Sequence, residues 1–160
     1  MTARHDLDAA GIHDPALRVG YLRCRVLHAS EGRASFLPTL LLPPAKRPYV
    51  HALYGFARHA ADMSAEQLPG WSEDFLVDLD WGATSHPIGR AVLDTAARWK
   101  IPHGYFADFL AAMRADLTVT EYPTFEDLAG YLWGSAAVIG LQLLPIVGRR
   151  DAGPLSLIHI

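Results

Sequence analysis

Pro48-Tyr49-Val50-His51-Ala52-Leu53-Tyr54-Gly55-Phe56-Ala57-Arg58-His59-Ala60-Ala61-Asp62-Met63-Ser64-Ala65-Glu66 is the stretch whose reading decides the fold. As a helix, it sets Val50, Leu53, Tyr54, Ala57 and Ala60 at the i, i+3, i+4, i+7 spacing of one apolar face. His51, Arg58, Asp62 and Glu66 fall on the adjoining face. Asp62 and Glu66 are four positions apart, so their carboxylates point the same way from successive turns and can hold a hard divalent cation against a phosphate. The plainer alternative is an i, i+4 ion-pair row of Arg58, Asp62 and Glu66 on a solvated face, which is common on soluble helices. Spacing alone favours the ion-pair row.

Outward from this helix, the same period of 3.6 recurs. Asp14-Pro15 is a helix start, the carboxylate capping free amides and proline fitting the first turn. Leu17, Tyr21, Cys24 and His28 then share one face of a helix that ends near Ser30, broken by Gly32. Residues 33–44, Arg33 to Pro44, form a short apolar segment closed by two prolines, whose default reading is a helix-helix connection packed on the core. In residues 67–85, Trp71, Phe75, Leu76, Leu79 and Trp81 alternate with acids, giving a short amphipathic turn capped by Ser72. Thr84 or Ser85 before Pro87 starts a helix with Ile88, Val92, Ala96 and Trp99 buried. Another runs from Tyr105 to Leu117 on Phe106, Phe109, Leu110, Met113 and Leu117, with Arg114 and Asp116 off the stripe. Thr124 caps a last helix, Phe125 to about Val147, with Asp127 in capping-box position. Its small residues, Gly130, Gly134, Ser135, Ala136, Ala137 and Gly140, cost helix propensity, which implies that something large passes close to the backbone. No alternating strand appears, so the chain reads as all-α.

Composition narrows the function classes. The chain has 160 residues, a formal net charge of -3 and 51% hydrophobic residues, which fits one globular domain and argues against disorder and against nucleic acid as a partner. A lone Cys24 excludes an internal disulfide and fits a reducing cytoplasm. The eight His residues are dispersed, with no paired metal-ligand spacing. The N-terminus lacks the apolar core of a signal peptide, and residues 1–13 read as a flexible arm. The apolar run from Leu132 to Val147 falls short of the ~20 residues of a membrane span and reads as a buried helix.

Three separated segments resemble the squalene/phytoene synthase family, over nearly all of residues 14–148. Ala52-Leu53-Tyr54-Gly55-Phe56-Ala57-Arg58 with the acids after it is similar to that family's first signature, Ala-Leu-Tyr-x-Phe-x-Arg-x-x-Asp-Asp-x-x-Asp. Met113-Arg114-Ala115-Asp116-Leu117 is similar to its Met-x-x-Asp-Leu segment. Residues 131–145, Tyr131 to Pro145, match Tyr-x-x-x-(Val/Ser)-Ala-x-x-(Val/Ile)-Gly-x-x-x-x-Pro. A Ser35-Phe36 pair resembles the family's diphosphate-binding pair before the first motif.

The resemblance implies an isoprenoid-synthase helical bundle, truncated here to its first several helices, with residues 14–154 as a partial synthase domain. It implies head-to-head condensation of two prenyl diphosphates, geranylgeranyl diphosphate to phytoene first and farnesyl diphosphate to squalene second. Mg2+ is the implied cofactor. Asp62, Tyr54, Asp116 and Tyr131 take the catalytic positions. Ser35, Phe36, Arg58, Ala136 and Gly140 take the substrate positions, Ala136 and Gly140 along a tunnel and Tyr131 near the diphosphate. The family's usual magnesium ligands fall on Ala61 and Ala65, leaving Asp62 and Glu66 as a weak metal pair. The second motif, Asn-x-x-Arg-Asp-x-x-x-Asp, has no counterpart, and this polypeptide is therefore expected to be inactive. The alternative is a non-catalytic prenyl-diphosphate-binding or scaffold protein. A third reading is a partial bundle whose uncovered apolar faces pair with one another. Lipid-like substrates make peripheral membrane contact an expectation beside the cytoplasmic one. Residues 155–160, Leu-Ser-Leu-Ile-His-Ile, read as an adaptor-derived tail, which places the end of the natural frame near Pro154.

Overall fold

A computed structural model describes residues 2–118 and 121–148, and no strand occurs among them. The expected tail at 155–160 lies outside the described residues. Helix α1 covers Ala3–Ala9, α2 Pro15–Glu31, α3 Arg33–Thr39, α4 Arg47–Ala61, α5 Leu68–Trp81, α6 Pro87–Trp99 and α7 His103–Asp116. Helix α8, Phe125–Leu132, continues through one π-helical turn, Trp133–Ala137, into α9, Val138–Val147.

The centre of the fold is α2 packed on both α4 and α6, with α4 also on α6. Two glycines permit this. A Cβ on Gly55 of α4 would meet Cys24 Cα at 2.6 Å and Cys24 O at 2.8 Å, and one on Gly20 of α2 would run into the Pro87 carbonyl of α6. Interiors packed to crystal density cannot absorb such overlaps without backbone movement. Burial at this crossing pushes the Cys24 thiol up to about 12, so it packs as an apolar group.

On the other side of α4, Phe56 meets Phe75 of α5 at 4.8 Å between centroids, and Phe106 and Phe109 of α7 at 5.5 and 5.6 Å. Such offset and edge contacts suit the ring quadrupoles. This cluster ties α5 and α7 to the centre.

Several expectations are corrected. Residues 2–13 are not a loose arm. The Thr2 hydroxyl accepts from His5 N to cap α1, Leu7 is buried, and buried Asp6 accepts from Arg47 at 3.2 Å. The helix expected over 48–66 stops at Ala61, where Asp62 N–H donates to Arg58 O and Met63 N–H to Ala60 O. A new turn then begins, the Ser64 hydroxyl accepting from Gln67 N. Residues 33–39 form a helix rather than a plain connection. Residues 68–81 form a helix of 14 residues in which Ser72 is buried rather than capping. His86, not Thr84 or Ser85, caps α6 by accepting from Gly89 N. The Thr124 cap is observed, accepting from Asp127 N at 3.1 Å.

The last helix differs most from its expected burial. It runs unbroken from Phe125 to Val147, 23 residues, and is long and apolar enough to cross a membrane by length and composition, with 22% of its most apolar window buried. Helix α8 buries no residue, and Phe125 is 82% exposed. Of the small residues, Gly134 meets a neighbour: its Cβ would lie 2.7 Å from both Ala112 Cβ and Asp108 O of α7. Around Gly130 and Gly140 a Cβ would meet nothing within 4 Å. Small size is therefore demanded by packing at one position of the run, and left unused at two.

Gly55→Ala is expected to destabilise the fold by about 2 kcal/mol or more, because overpacking exceeds the gain in helix propensity. Gly130→Ala, in open space, is expected to stabilise by about 0.5–1 kcal/mol. Urea unfolding midpoints of the two variants check the contrast.

Candidate functional site

Leu27 and His28 of α2, Tyr54, Ala57, Arg58 and Ala61 of α4, and Phe109 and Met113 of α7 surround a cavity of about 260 Å³, with Gly32 at its edge. Each residue arrives by its helical register. Tyr54, Ala57, Arg58 and Ala61 follow the i, i+3, i+4, i+7 row of α4, and Phe109 and Met113 are one turn apart on α7. Two of the sequence segments singled out above, around Tyr54–Arg58 and around Met113, thus meet at one place. A larger cavity of about 700 Å³ lies elsewhere, lined by Lys46, Tyr49, Arg98, Trp99, Lys100 and Pro145. It contains none of the catalytic, substrate or metal candidates, so the smaller cavity is the better candidate.

The cavity wall is backed by a polar cluster. His28 stacks on Tyr54 with centroids 4.5 Å apart and 12° between planes. His28 Nε2 lies 2.8 Å from Ser35 Oγ, and His28 Nδ1 lies 2.9 Å from His51 Nδ1. Phe36 stacks on His51 at 5.4 Å, and the Arg25 guanidinium lies 5.2 Å over the Phe36 ring. Both histidines are 1% exposed. Burial, with the Arg25 charge second, holds His28 down to about 4. Burial, then His28, Arg25 and Arg47, holds His51 down to about 3. Burial also raises the Tyr54 phenol. The site is therefore a neutral pocket at pH 7, with the Arg58 cation at its rim.

Sequence reasoning placed His51 on the polar face beside Arg58 and missed its burial. His28 and His51 are 23 positions apart in sequence. The one available signal was His28 on the apolar stripe of α2, where a histidine needs a buried partner.

Arg58 Nη2 donates to Asp62 Oδ1 at 2.7 Å, the ion-pair reading of the motif, and both side chains are more than a third exposed. Such a pair contributes about 0.3–0.5 kcal/mol. Glu66 lies beyond the end of α4, exposed, so the two carboxylates do not stand on successive turns of one helix. Ala61 and Ala65 are exposed and carry no ligand atom. Among the described residues no group of three or more His, Cys, Asp and Glu side chains is placed to hold a metal ion. The residues present do not fit a magnesium cluster.

Asp116 is exposed at the end of α7; desolvation raises the Tyr122 phenol, with Tyr131 and then Asp116 adding to it. The Tyr131 ring lies 5.2 Å from Tyr122. Neither Asp116 nor Tyr131 lines the cavity, and Ala136 and Gly140 are exposed with no wall facing Gly140. The structure thus joins Tyr54 and Arg58 directly, Ser35 and Phe36 through the histidines, and leaves Asp116, Tyr131, Ala136 and Gly140 apart from them.

Comparison with known proteins decides the family. The squalene/phytoene synthase profile matches residues 28–158. The chain belongs to the squalene/phytoene synthase family. Among curated members it is 32% identical to 15-cis-phytoene synthase of Synechococcus elongatus, covering 83% of this chain and 46% of that one. It is 31% identical to chloroplastic phytoene synthase 1 of Arabidopsis thaliana, covering 80% and 32%. Among solved structures, squalene synthase HpnC of Alicyclobacillus acidocaldarius superposes with a TM-score of 0.76 at 28% identity, over 90% of this chain and 57% of that one. A dehydrosqualene synthase in complex with ligand gives 0.75 at 26%, over 83% and 49%. The chain spans about half the length of the cyanobacterial relative and of these structures. The all-α isoprenoid-synthase fold expected from the signatures is the fold observed.

The paired histidines make stability pH-dependent. Their native values lie below the ordinary ~6.5, so between about pH 6.5 and 4 the unfolded chain binds more protons than the folded one. Stability is full above about pH 6.5 and is lost as pH falls through about 4 for His28 and about 3 for His51, the loss at pH 5 being roughly 2–4 kcal/mol for the two rings. A melting temperature lower at pH 5 than at pH 7.5 by roughly 5–15 °C is expected. A smaller drop in His51→Phe, followed by calorimetry, assigns it to the pair.

Proposed function

We propose that the cavity between α2, α4 and α7 takes the head of a prenyl diphosphate. The whole protein's reaction, on this reading, is head-to-head condensation of two such molecules. The observation that carries the proposal is the convergence of Tyr54 and Arg58 with Met113 and Phe109, residues of two separate family segments, on one cavity. Arg58 offers the planar fork of donors that suits phosphate oxygens. Leu27, Phe109 and Met113 offer an apolar wall that keeps water from an allylic cation. At about 260 Å³ the space is below the ~300–1,000 Å³ usual for small-molecule sites, enough for the diphosphate and first isoprene units but not for two whole chains. The curated relatives named phytoene synthase favour geranylgeranyl diphosphate; the solved squalene and dehydrosqualene synthases keep farnesyl diphosphate second.

This polypeptide holds the ligand without turning it over. Alanine at positions 61 and 65 removes the acids that would hold magnesium against the leaving group. Loss of even one preorganised donor to a developing oxyanion costs about 10²–10³ in rate.

Titration with geranylgeranyl diphosphate is expected to show binding that is insensitive to a chelator and releases no diphosphate. The double variant Ala61→Asp, Ala65→Asp is expected to gain about tenfold in affinity when Mg2+ is added. Diphosphate release by the unmodified chain overturns the inactivity, and absence of binding overturns the ligand assignment.

A further inference from the structure

The contact between His28 Nδ1 and His51 Nδ1 at 2.9 Å requires a single proton between the two nitrogens. Two bare nitrogens would repel and two N–H groups would clash, so one ring donates and the other accepts. Burial keeps both rings neutral, helped by Arg25 of α2 at both and by Arg47 of α4 at His51. His51 also borders a void of about 10 Å³ lined by Asp6 of α1, Tyr21 and Arg25, and Asp6 is taken up by Arg47.

Two arrangements remain. If His28 donated, its bare Nε2 would draw the Ser35 proton away from the Gly32 carbonyl. His51 would then carry N–H on Nε2, an atom that is buried and has no partner. If His51 donates, His28 Nε2–H donates to Ser35 Oγ, and the Ser35 hydroxyl donates to Gly32 O at 2.9 Å. Only a bare lone pair on His51 Nε2 is then unmatched, and buried unmatched acceptors are tolerated better than buried unmatched donors.

Resting on the ligand reading above for its functional sense, we propose that His28 is the positioning residue of this cavity. His51 locks it in one tautomer, so that it holds the Tyr54 ring along the wall and commits the Ser35 proton to Gly32. Ser35 then has no proton for a diphosphate oxygen and acts as a clamp on the α2–α3 corner. The Gly32 carbonyl also accepts from Ser35 N at 2.9 Å and Phe36 N at 2.7 Å, so the clamp sets the start of α3. Anion recognition falls to Arg58 and the Tyr54 hydroxyl.

Nitrogen-15 spectra of the histidines in the intact chain test the arrangement without any ligand. His51 is expected as the Nδ1–H tautomer and His28 as the Nε2–H tautomer, both unchanged from pH 7.5 to about 5. His28 as the Nδ1–H tautomer with His51 as the Nε2–H tautomer, both rings as Nε2–H tautomers, or either ring charged at pH 7, overturn it. His28→Gln keeps a donor toward Ser35, whereas His28→Phe keeps only the ring. Amide exchange at Ser35 and Phe36 is expected to rise at least tenfold in His28→Phe and less than threefold in His28→Gln. Equal exchange in the two variants overturns the clamp. In geranylgeranyl diphosphate titrations His28→Phe is expected to bind at least tenfold more weakly than His28→Gln, and equal affinities overturn the positioning role. If the unmodified chain shows the stated tautomers and exchange but binds no prenyl diphosphate, the ligand reading fails and the proton arrangement stands.

Discussion

The crossing of α2 and α4 at Gly55 and Cys24 is the constraint on which the rest of the molecule depends. With no Cβ on Gly55, the α4 backbone rests on Cys24 itself. The close approach brings His28, one turn beyond Cys24 on α2, into reach of His51 and Tyr54, which precede Gly55 on α4 by four positions and one. A wider crossing would separate the histidine nitrogens and leave His51 buried without a partner and His28 held by Ser35 alone, at a desolvation cost of about 1–3 kcal/mol for each nitrogen left unpaired. The same helix pair is pinned from the far side by Gly20 against Pro87 of α6. Packing and polar satisfaction therefore rest on the same contact.

Much of the fold was legible because it rests on local rules. Asp14 and Thr124 cap their helices as their side chains dictate, and the stripes Ile88-Val92-Ala96 and Phe106-Phe109-Leu110 are buried as their spacing requires. The misreadings have non-local causes. Helix α1 looks polar, and its Asp6 is buried only because Arg47, 41 positions later, meets it. The end of α4 was unreadable because Arg58, Asp62 and Glu66 continue a helical charge pattern past the turn at Ser64. Ser72 suits a cap by residue type, yet Phe75 and Leu79 turn that face of α5 inward and bury it.

The candidate site divides along the same line. Tyr54 and Arg58 were legible as a motif, and their convergence with Met113 follows from two helices meeting around the Phe56 cluster. The histidine pair was not legible, since nothing in the spacing of residues 28 and 51 announces contact. Asp116, Tyr131, Ala136 and Gly140 were chosen by likeness to family segments, and they sit on or beyond α7, away from the cavity. The cavity gathers the α4 residues of the first segment, and positions 61 and 65 beside it are alanine.

The π-helical turn at Trp133–Ala137 gives the last helix an unusual relation between length and direction. A π turn accommodates one residue more than an α turn, and each residue of an α-helix advances the face by about 100°. Upstream, α8 presents no side chain to the core; downstream, Val138, Gln142 and Ile146 recur every fourth position and are all buried. The segment behaves as a straight helix with one residue inserted at its middle, and that residue is what aims α9 inward. A one-residue deletion within 133–137 would improve the local hydrogen bonding and turn the wrong stripe toward α4 and α7. In genetic terms, this is a place where length is constrained together with identity at Gly134, whose Cβ position is taken by α7.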